Sequence, residues 1–148
     1  GRVRGDDINK TIASNVGIEN ELLQKLFEES VRRMELEAEI MELIKSLKKS
    51  GHKIGIVTDN MEVFTQITVP NHKLNDLFDI IISSIDHGIL KQDENGRLFD
   101  ITLAALGEKI GNSVMIDDSA GTIELFKRKG GQGFLYKNTA ELKSFLNE

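Results

Sequence analysis

The sequence predicts an α/β fold, a doubly wound parallel sheet preceded by a small helical segment. Three observations point there. Four short apolar runs alternate with helical patterns after residue 50, as in sheets built from strand–helix–strand crossovers. Two of these runs break off sharply into polar clusters, Thr58-Asp59-Asn60 and Asp117-Asp118-Ser119, as buried parallel strands do where they reach a loop. The stretch before residue 50 carries helical spacing only.

Taken in order, residues 1–17 show no clear period. From Glu19 onward Leu22, Leu23, Leu26, Phe27, Val31 and Met34 recur at helical spacing, and Ile40, Met41, Leu43, Ile44 and Leu47 repeat it. Lys48 and Lys49 suit the negative end of that second helix and Gly51 the position after it. Residues 53–57 form the first strand, ending at Thr58. A helix follows through Met61, Val63, Phe64 and Ile67, punctuated by Pro70 and Asn71. Residues 78–84 are the second strand. The loop beyond holds Gly88, Lys91 and the turn pair Asn95-Gly96, and a helix runs from Phe99 to Leu106. Residues 113–116 are the third strand, stopping at Asp117-Asp118. A helix through Ile123, Leu125 and Phe126 ends at Gly130-Gly131. Residues 133–136 are the fourth strand and 139–146 the last helix. The division is a helical cap segment over 1–50 and an α/β core over 51–148.

Composition narrows the function classes. The chain has 148 residues, 39% hydrophobic and 29% charged, with no Cys, no Trp and one Pro. That is the make-up of a single soluble domain. Without Cys there is no disulfide framework, thiolate metal site or Cys nucleophile, which fits a cytoplasmic protein. A net charge of -5 argues against nucleic acid or an anionic membrane as partner. No stretch approaches the roughly 20 apolar residues that span a bilayer. His52, His72 and His87 lack ligand-type spacing, and Lys127-Arg128-Lys129 suits a helix C-terminus.

In open parallel sheets ligands sit beyond the carboxyl ends of the strands, where the two polar clusters fall. Read singly, each also serves as a helix cap, since Asp, Asn and Ser satisfy free N–H groups, and Lys91 reads as a solvated loop lysine. Read together and in order, they supply what phosphoryl transfer needs. Asp117 and Asp118 are hard oxygen ligands suited to Mg²⁺. The Thr58 hydroxyl and neighbouring N–H groups can hold phosphoryl oxygens, and Lys91 can neutralise charge that builds during transfer.

On these residues the sequence resembles the haloacid dehalogenase-like superfamily of hydrolases, mostly phosphatases. The matching stretches are IGIVTDN (54–60), FDIIISS (78–84), Lys91 before FDITLAALG (99–107), and SVMIDDSAGTIELFKRKGGQGFLY (113–136). The resemblance spans roughly residues 36–146. It implies that Thr58 matches the family's second motif and bonds the phosphoryl group, with Asp59 and Asn60 in the same binding loop. It implies that Lys91 is the third motif, pairing with phosphoryl group and nucleophile. Asp118 and Asp117 become the fourth, ligating Mg²⁺, with Asp118 the main ligand. The substrate implied is a small phosphorylated metabolite. Two departures are modest: Gln92 stands where the family often has Pro, and Thr122-Ile123-Glu124-Leu125-Phe126 is bulkier than usual.

A third departure is severe. The family's first motif is an apolar strand ending in Asp-x-Asp, whose first Asp attacks phosphorus to form an aspartyl-phosphate. Asp6-Asp7 follows Arg2-Val3-Arg4-Gly5, which is no buried strand, and its acids are adjacent rather than alternate. In the family that strand lies mid-sheet, between the strands ending at Thr58 and Asp117. With no initiator Met either, the sequence reads as a processed, tagged or truncated version of a longer protein, inactive as it stands, or as one whose missing strand comes from another segment or chain. The alternative is a non-catalytic binding or interaction domain of the same fold.

Overall fold

The computed structural model describes residues 4–146. It begins with a helical hairpin, α1 (Gly5–Val16) and α2 (Asn20–Arg32), joined through Gly17 in the left-handed region at φ 71°. Helix α1 departs from the expectation of an aperiodic start. The face it buries carries Gly5, Asn9 and Ala13, small or polar residues that no search for apolar periodicity registers. Its aliphatic residues Ile8, Ile12 and Val16, spaced four apart, remain 37%, 42% and 61% exposed. Asn9 Nδ2 donates to Gln24 Oε1 at 2.5 Å, tying α1 to α2 through a polar bond. Helix α3 (Ala38–Lys49) ends at Ser50 and Gly51.

Strand β1 (Gly55–Thr58) pairs in parallel with β2 (Ile80–Ser83), Gly55 opposite Ile80 and Thr58 opposite Ser83. Between them a π-helical turn, Phe64–Thr68, runs directly into the short α4 (Val69–Asn71). That continuous segment ends at Asn71, as the Pro70-Asn71 punctuation predicts, with Pro70 its next-to-last residue, just past the π-helical turn that interrupts the ordinary helical bond ladder. Helices α5 (Ser84–His87) and α6 (Arg97–Leu106) follow. Strand β3 (Val114–Asp117) then pairs in parallel with β4 (Gln132–Leu135), joined by α7 (Ala120–Arg128), and α8 (Thr139–Leu146) closes the described chain. Each strand is displaced by one or two residues from its sequence-based bounds.

The four strands are all parallel, but they make two two-stranded sheets rather than one. Among the described residues no strand hydrogen-bonds to the second edge of β1 or of β3. The halves are joined on one face by side chains. Phe99 of α6 and Phe126 of α7 meet edge-to-face with centroids 5.4 Å apart, an arrangement aromatic quadrupoles favour. Leu125, Val57 of β1 and Met115 of β3 pack in the same cluster. Gly55 leaves room for Ile80 of β2 and Thr102 of α6, because a Cβ there would lie 2.9 Å from Ile80 Cγ2 and 3.2 Å from Thr102 Cγ2. Phe145 of α8 stacks on Phe134 of β4 at 4.9 Å. Helix α3 docks on α8 through Lys143 Nζ to Glu39 Oε2 at 3.0 Å. Among the described residues no helix is long and apolar enough to cross a membrane.

Candidate functional site

Apart from Lys91, which lies in a loop, the side chains singled out by sequence lie where strands end. Thr58 is the last residue of β1 and is half-buried; Asp59 and Asn60 form the loop beyond it. Asp117 is the last residue of β3, and Asp118 is exposed immediately after it. Because both strands run parallel, both clusters emerge at the carboxyl ends of their sheets.

Lys91 connects the two. Its ammonium lies 2.7 Å from Asp117 Oδ2, with side-chain exposures of 16% and 9%. Its backbone N–H donates to Asp59 Oδ1 at 2.8 Å. One loop residue thus bonds the residue after β1 and the last residue of β3, spanning the gap between the half-sheets. Asp117 Oδ1 also accepts the Ser119 N–H at 2.8 Å, and Ser119 Oγ accepts from Thr122 N at 3.4 Å as the N-cap of α7. The capping reading therefore holds for this cluster through Ser119, and Asp117 is engaged by Lys91 beside it.

Asn60 is engaged within its own loop. Its Oδ1 accepts the Met61 N–H at 3.0 Å. Its backbone N–H donates to Ser84 Oγ at 3.0 Å, and its carbonyl accepts from the same hydroxyl at 3.3 Å. Ser84 is fully buried, so it fixes the Thr58 loop from beneath. Ser83, opposite Thr58 and also fully buried, has a hydroxyl with no hydrogen-bond partner among the described residues. Reading 78–84 as one strand hid both serines: a hydroxyl at a buried strand end looks no different in sequence from one in a loop. Glu62 is a third residue that escaped. Its carboxylate accepts from Gly5 N at 2.9 and 3.0 Å. Nothing in the sequence links positions 5 and 62.

For a divalent cation the acidic pair fits in kind. Carboxylate oxygens at a strand end are the hard donors Mg²⁺ takes, and that ion commonly accepts one or two carboxylates with water and phosphate oxygens completing the shell. Asp117 is engaged by Lys91 and Ser119, yet a carboxylate has about four acceptor positions. Among the described residues no three His, Cys, Asp or Glu side chains cluster to hold a metal, so the acidic pair forms no closed cage.

The profile of the family described as haloacid dehalogenase-like hydrolase matches residues 5–131. No curated protein matches the chain. Solved structures share its fold. A predicted HAD-like family hydrolase from Porphyromonas gingivalis is 19% identical, covers 100% of this chain and 76% of its own, and superposes with a TM-score of 0.77. An HAD family enzyme from Bacteroides thetaiotaomicron, solved in complex with magnesium and inorganic phosphate, is 11% identical over 95% of this chain and 74% of its own, with a TM-score of 0.74. An HAD phosphatase from Thermococcus onnurineus is 18% identical over 95% and 87%, with a TM-score of 0.65.

Proposed function

The chain belongs to the haloacid dehalogenase-like hydrolase family, and from that premise we propose that it is the larger part of a Mg²⁺-dependent phosphatase. The substrate is a small phosphorylated metabolite, and catalysis runs through an aspartyl-phosphate. In this reading the nucleophile lies outside the 148 residues, on a strand that enters between β1 and β3. The observation that carries the proposal is Lys91, bonded to Asp59 by its backbone and to Asp117 by its ammonium. A cation held at the junction of two parallel half-sheets suits a site where negative charge develops. The likeness to an enzyme solved with magnesium and inorganic phosphate supports the same chemistry.

Each residue then has a task. Thr58 donates its hydroxyl to a phosphoryl oxygen. Lys91 offsets charge on the transferring group, and Asp59 fixes the loop that presents it. Asn60, its backbone bonded on both sides by Ser84, holds the loop N–H groups toward substrate. Asp118 and Asp117 would hold Mg²⁺, which when bound supplies positive charge to the phosphoryl oxygens. A cytoplasmic setting belongs to this reading and is supported by the absence of cysteine.

The test uses the complete protein encoded around this chain, with p-nitrophenyl phosphate and titrated MgCl₂. Mg²⁺-dependent hydrolysis is expected, and Asp118→Asn should lower it by about 100-fold or more. Residues 1–148 alone should be inactive. Undiminished metal-dependent turnover in Asp118→Asn would remove the site assignment. No turnover in a folded complete protein would favour the non-catalytic binding domain.

A further inference from the structure

Helix α1 has no cap of its own. Its N-cap residue is Arg4, whose side chain makes no capping bond. The free N–H groups at the helix start are satisfied from across the structure. Glu62 accepts Gly5 N on both carboxylate oxygens, at 2.9 and 3.0 Å, and Asp6 N at 3.4 Å. Arg4 Nε lies 4.0 Å away, and the Glu62 side chain is only 12% exposed. Burial raises the Glu62 carboxyl, but the Gly5 and Asp6 N–H groups and the Arg4 charge outweigh it and hold it below the ordinary carboxylate value.

Glu62 stands four residues beyond Thr58, in the helical segment that leaves the β1 loop. Thr65 Oγ1 donates to its carbonyl at 3.1 Å. The other end of the hairpin is tied to the same segment: Asn71 Nδ2 donates to Arg32 O, the last residue of α2, at 3.1 Å. Both ends of the α1–α2 hairpin are therefore bonded to residues 62–71, and α2 packs on the π-helical turn between them.

We propose that Glu62 couples the α1–α2 hairpin to the loop carrying Thr58, Asp59 and Asn60, so that hairpin and loop hold or shift position as one body. A carboxylate at a helix N-terminus is favoured by hydrogen bonding and by the helix dipole together. A cap supplied 57 residues away in sequence transmits that preference to the residue that supplies it. Glu62 is a positioning residue in this scheme, and the scheme holds whether or not the chain hydrolyses phosphate.

The test is amide hydrogen exchange on the full chain, comparing wild type with Glu62→Ala, Glu62→Gln and Asn71→Ala. With Glu62→Ala, exchange in residues 5–16 and residues 59–64 should rise together, by about tenfold. Exchange in β3 and β4 should stay unchanged. Glu62→Gln, which keeps one acceptor oxygen but loses the charge, should fall between. Asn71→Ala should loosen the end of α2 and leave residues 5–8 protected. Faster exchange confined to residues 5–16 would reduce Glu62 to a helix cap and overturn the coupling. Unchanged exchange in both segments would overturn it too, as would a loosening of β3 and β4 shared by Glu62→Ala and Glu62→Gln.

Discussion

The half-sheets β1–β2 and β3–β4 have strands of equal length and the same parallel register, yet they are finished differently. The first is half-buried throughout β1 and buries Ile82 and Ser83 in β2. In the second, burial alternates along β3. Met115 enters the core shared with Phe99, Leu125 and Phe126, while Val114 and Ile116, pointing the other way, are 41% and 38% exposed. Period 2 makes alternate residues face opposite sides of a sheet; here one side of β3 meets α7 and the other lacks an equivalent cover among the described residues. Identical pairing thus says little about how well a strand is enclosed. Among the described residues no strand of one half hydrogen-bonds to a strand of the other; their junction rests on the Phe99–Phe126 contact on one face, on Lys91 at the carboxyl ends, and on Lys129, whose ammonium donates to Asn95 O at 2.9 Å and to Asp100 Oδ2 at 3.1 Å.

The largest effect should come from breaking the aromatic junction. Phe99 is 1% exposed and touches both halves' helices. Phe99→Ala removes a buried ring and leaves a cavity between α6 and α7, which typically costs about 3–5 kcal/mol. Denaturant unfolding of the chain should show that loss at an unchanged slope. A loss below about 1 kcal/mol would mean that the halves stand independently, each on its own helix.

Lys91→Met tests the polar junction. It keeps the bond from the Lys91 backbone to Asp59 and removes the ammonium from Asp117, leaving a nearly buried carboxylate with one partner fewer. A cost of about 1–3 kcal/mol is expected. Asp117→Asn in the same chain should recover part of it, since contacting residues are coupled in a double-mutant cycle. Strictly additive losses would show that the 2.7 Å pair contributes nothing to holding β3 near the Thr58 loop.

Much of this arrangement was legible in the sequence. Four strands, their order and the polar clusters at Thr58 and Asp117 follow from apolar runs cut off by polar residues, a pattern that burial imposes locally. Lys91, Asp117 and Asp59 do converge, although the sequence alone could not choose which acid the lysine meets. Helix α1 escapes because its one aliphatic stripe, Ile8, Ile12 and Val16, is short and stays exposed, while its buried face is Gly5, Asn9 and Ala13. Pro70 and Asn71 mark the end of the helical segment after β1, which stops at Asn71, but the π-helical turn ahead of Pro70 leaves no trace in the sequence. Ser84 and Glu62 were invisible for another reason: their partners, Asn60 and Gly5, are 24 and 57 residues away, and such pairings are decided by tertiary packing.

The smallest predicted effect separates the half-sheets by pH. Asp79 stands just before β2 and anchors the start of β1. Its Oδ2 accepts the Ile54 N–H at 2.7 Å, its backbone N–H donates to Ile54 O at 2.8 Å, and its Oδ1 pairs with Lys48. The Lys48 ammonium first, then the Ile54 N–H, hold its carboxyl below the usual 3.8, against a smaller opposing effect of burial. A carboxyl lowered by folding stabilises the native state above its unfolded pKa, and that contribution fades as pH falls through the folded value. The corresponding bond in the other half, Gln132 N to Ser113 O at 3.0 Å, contains no titrating group. Acidification below pH 3.8 should therefore loosen residues 54–58 and 80–83 before 114–117 and 132–135. Asp79 is one-third exposed, so water screens the pair and the difference should be small. Amide exchange, corrected for the intrinsic rate at each pH, measures it directly. Asp79→Asn should erase the pH dependence of the difference between the halves. Its persistence in that variant would assign the acid sensitivity to some other carboxylate and remove Asp79 as the distinguishing anchor.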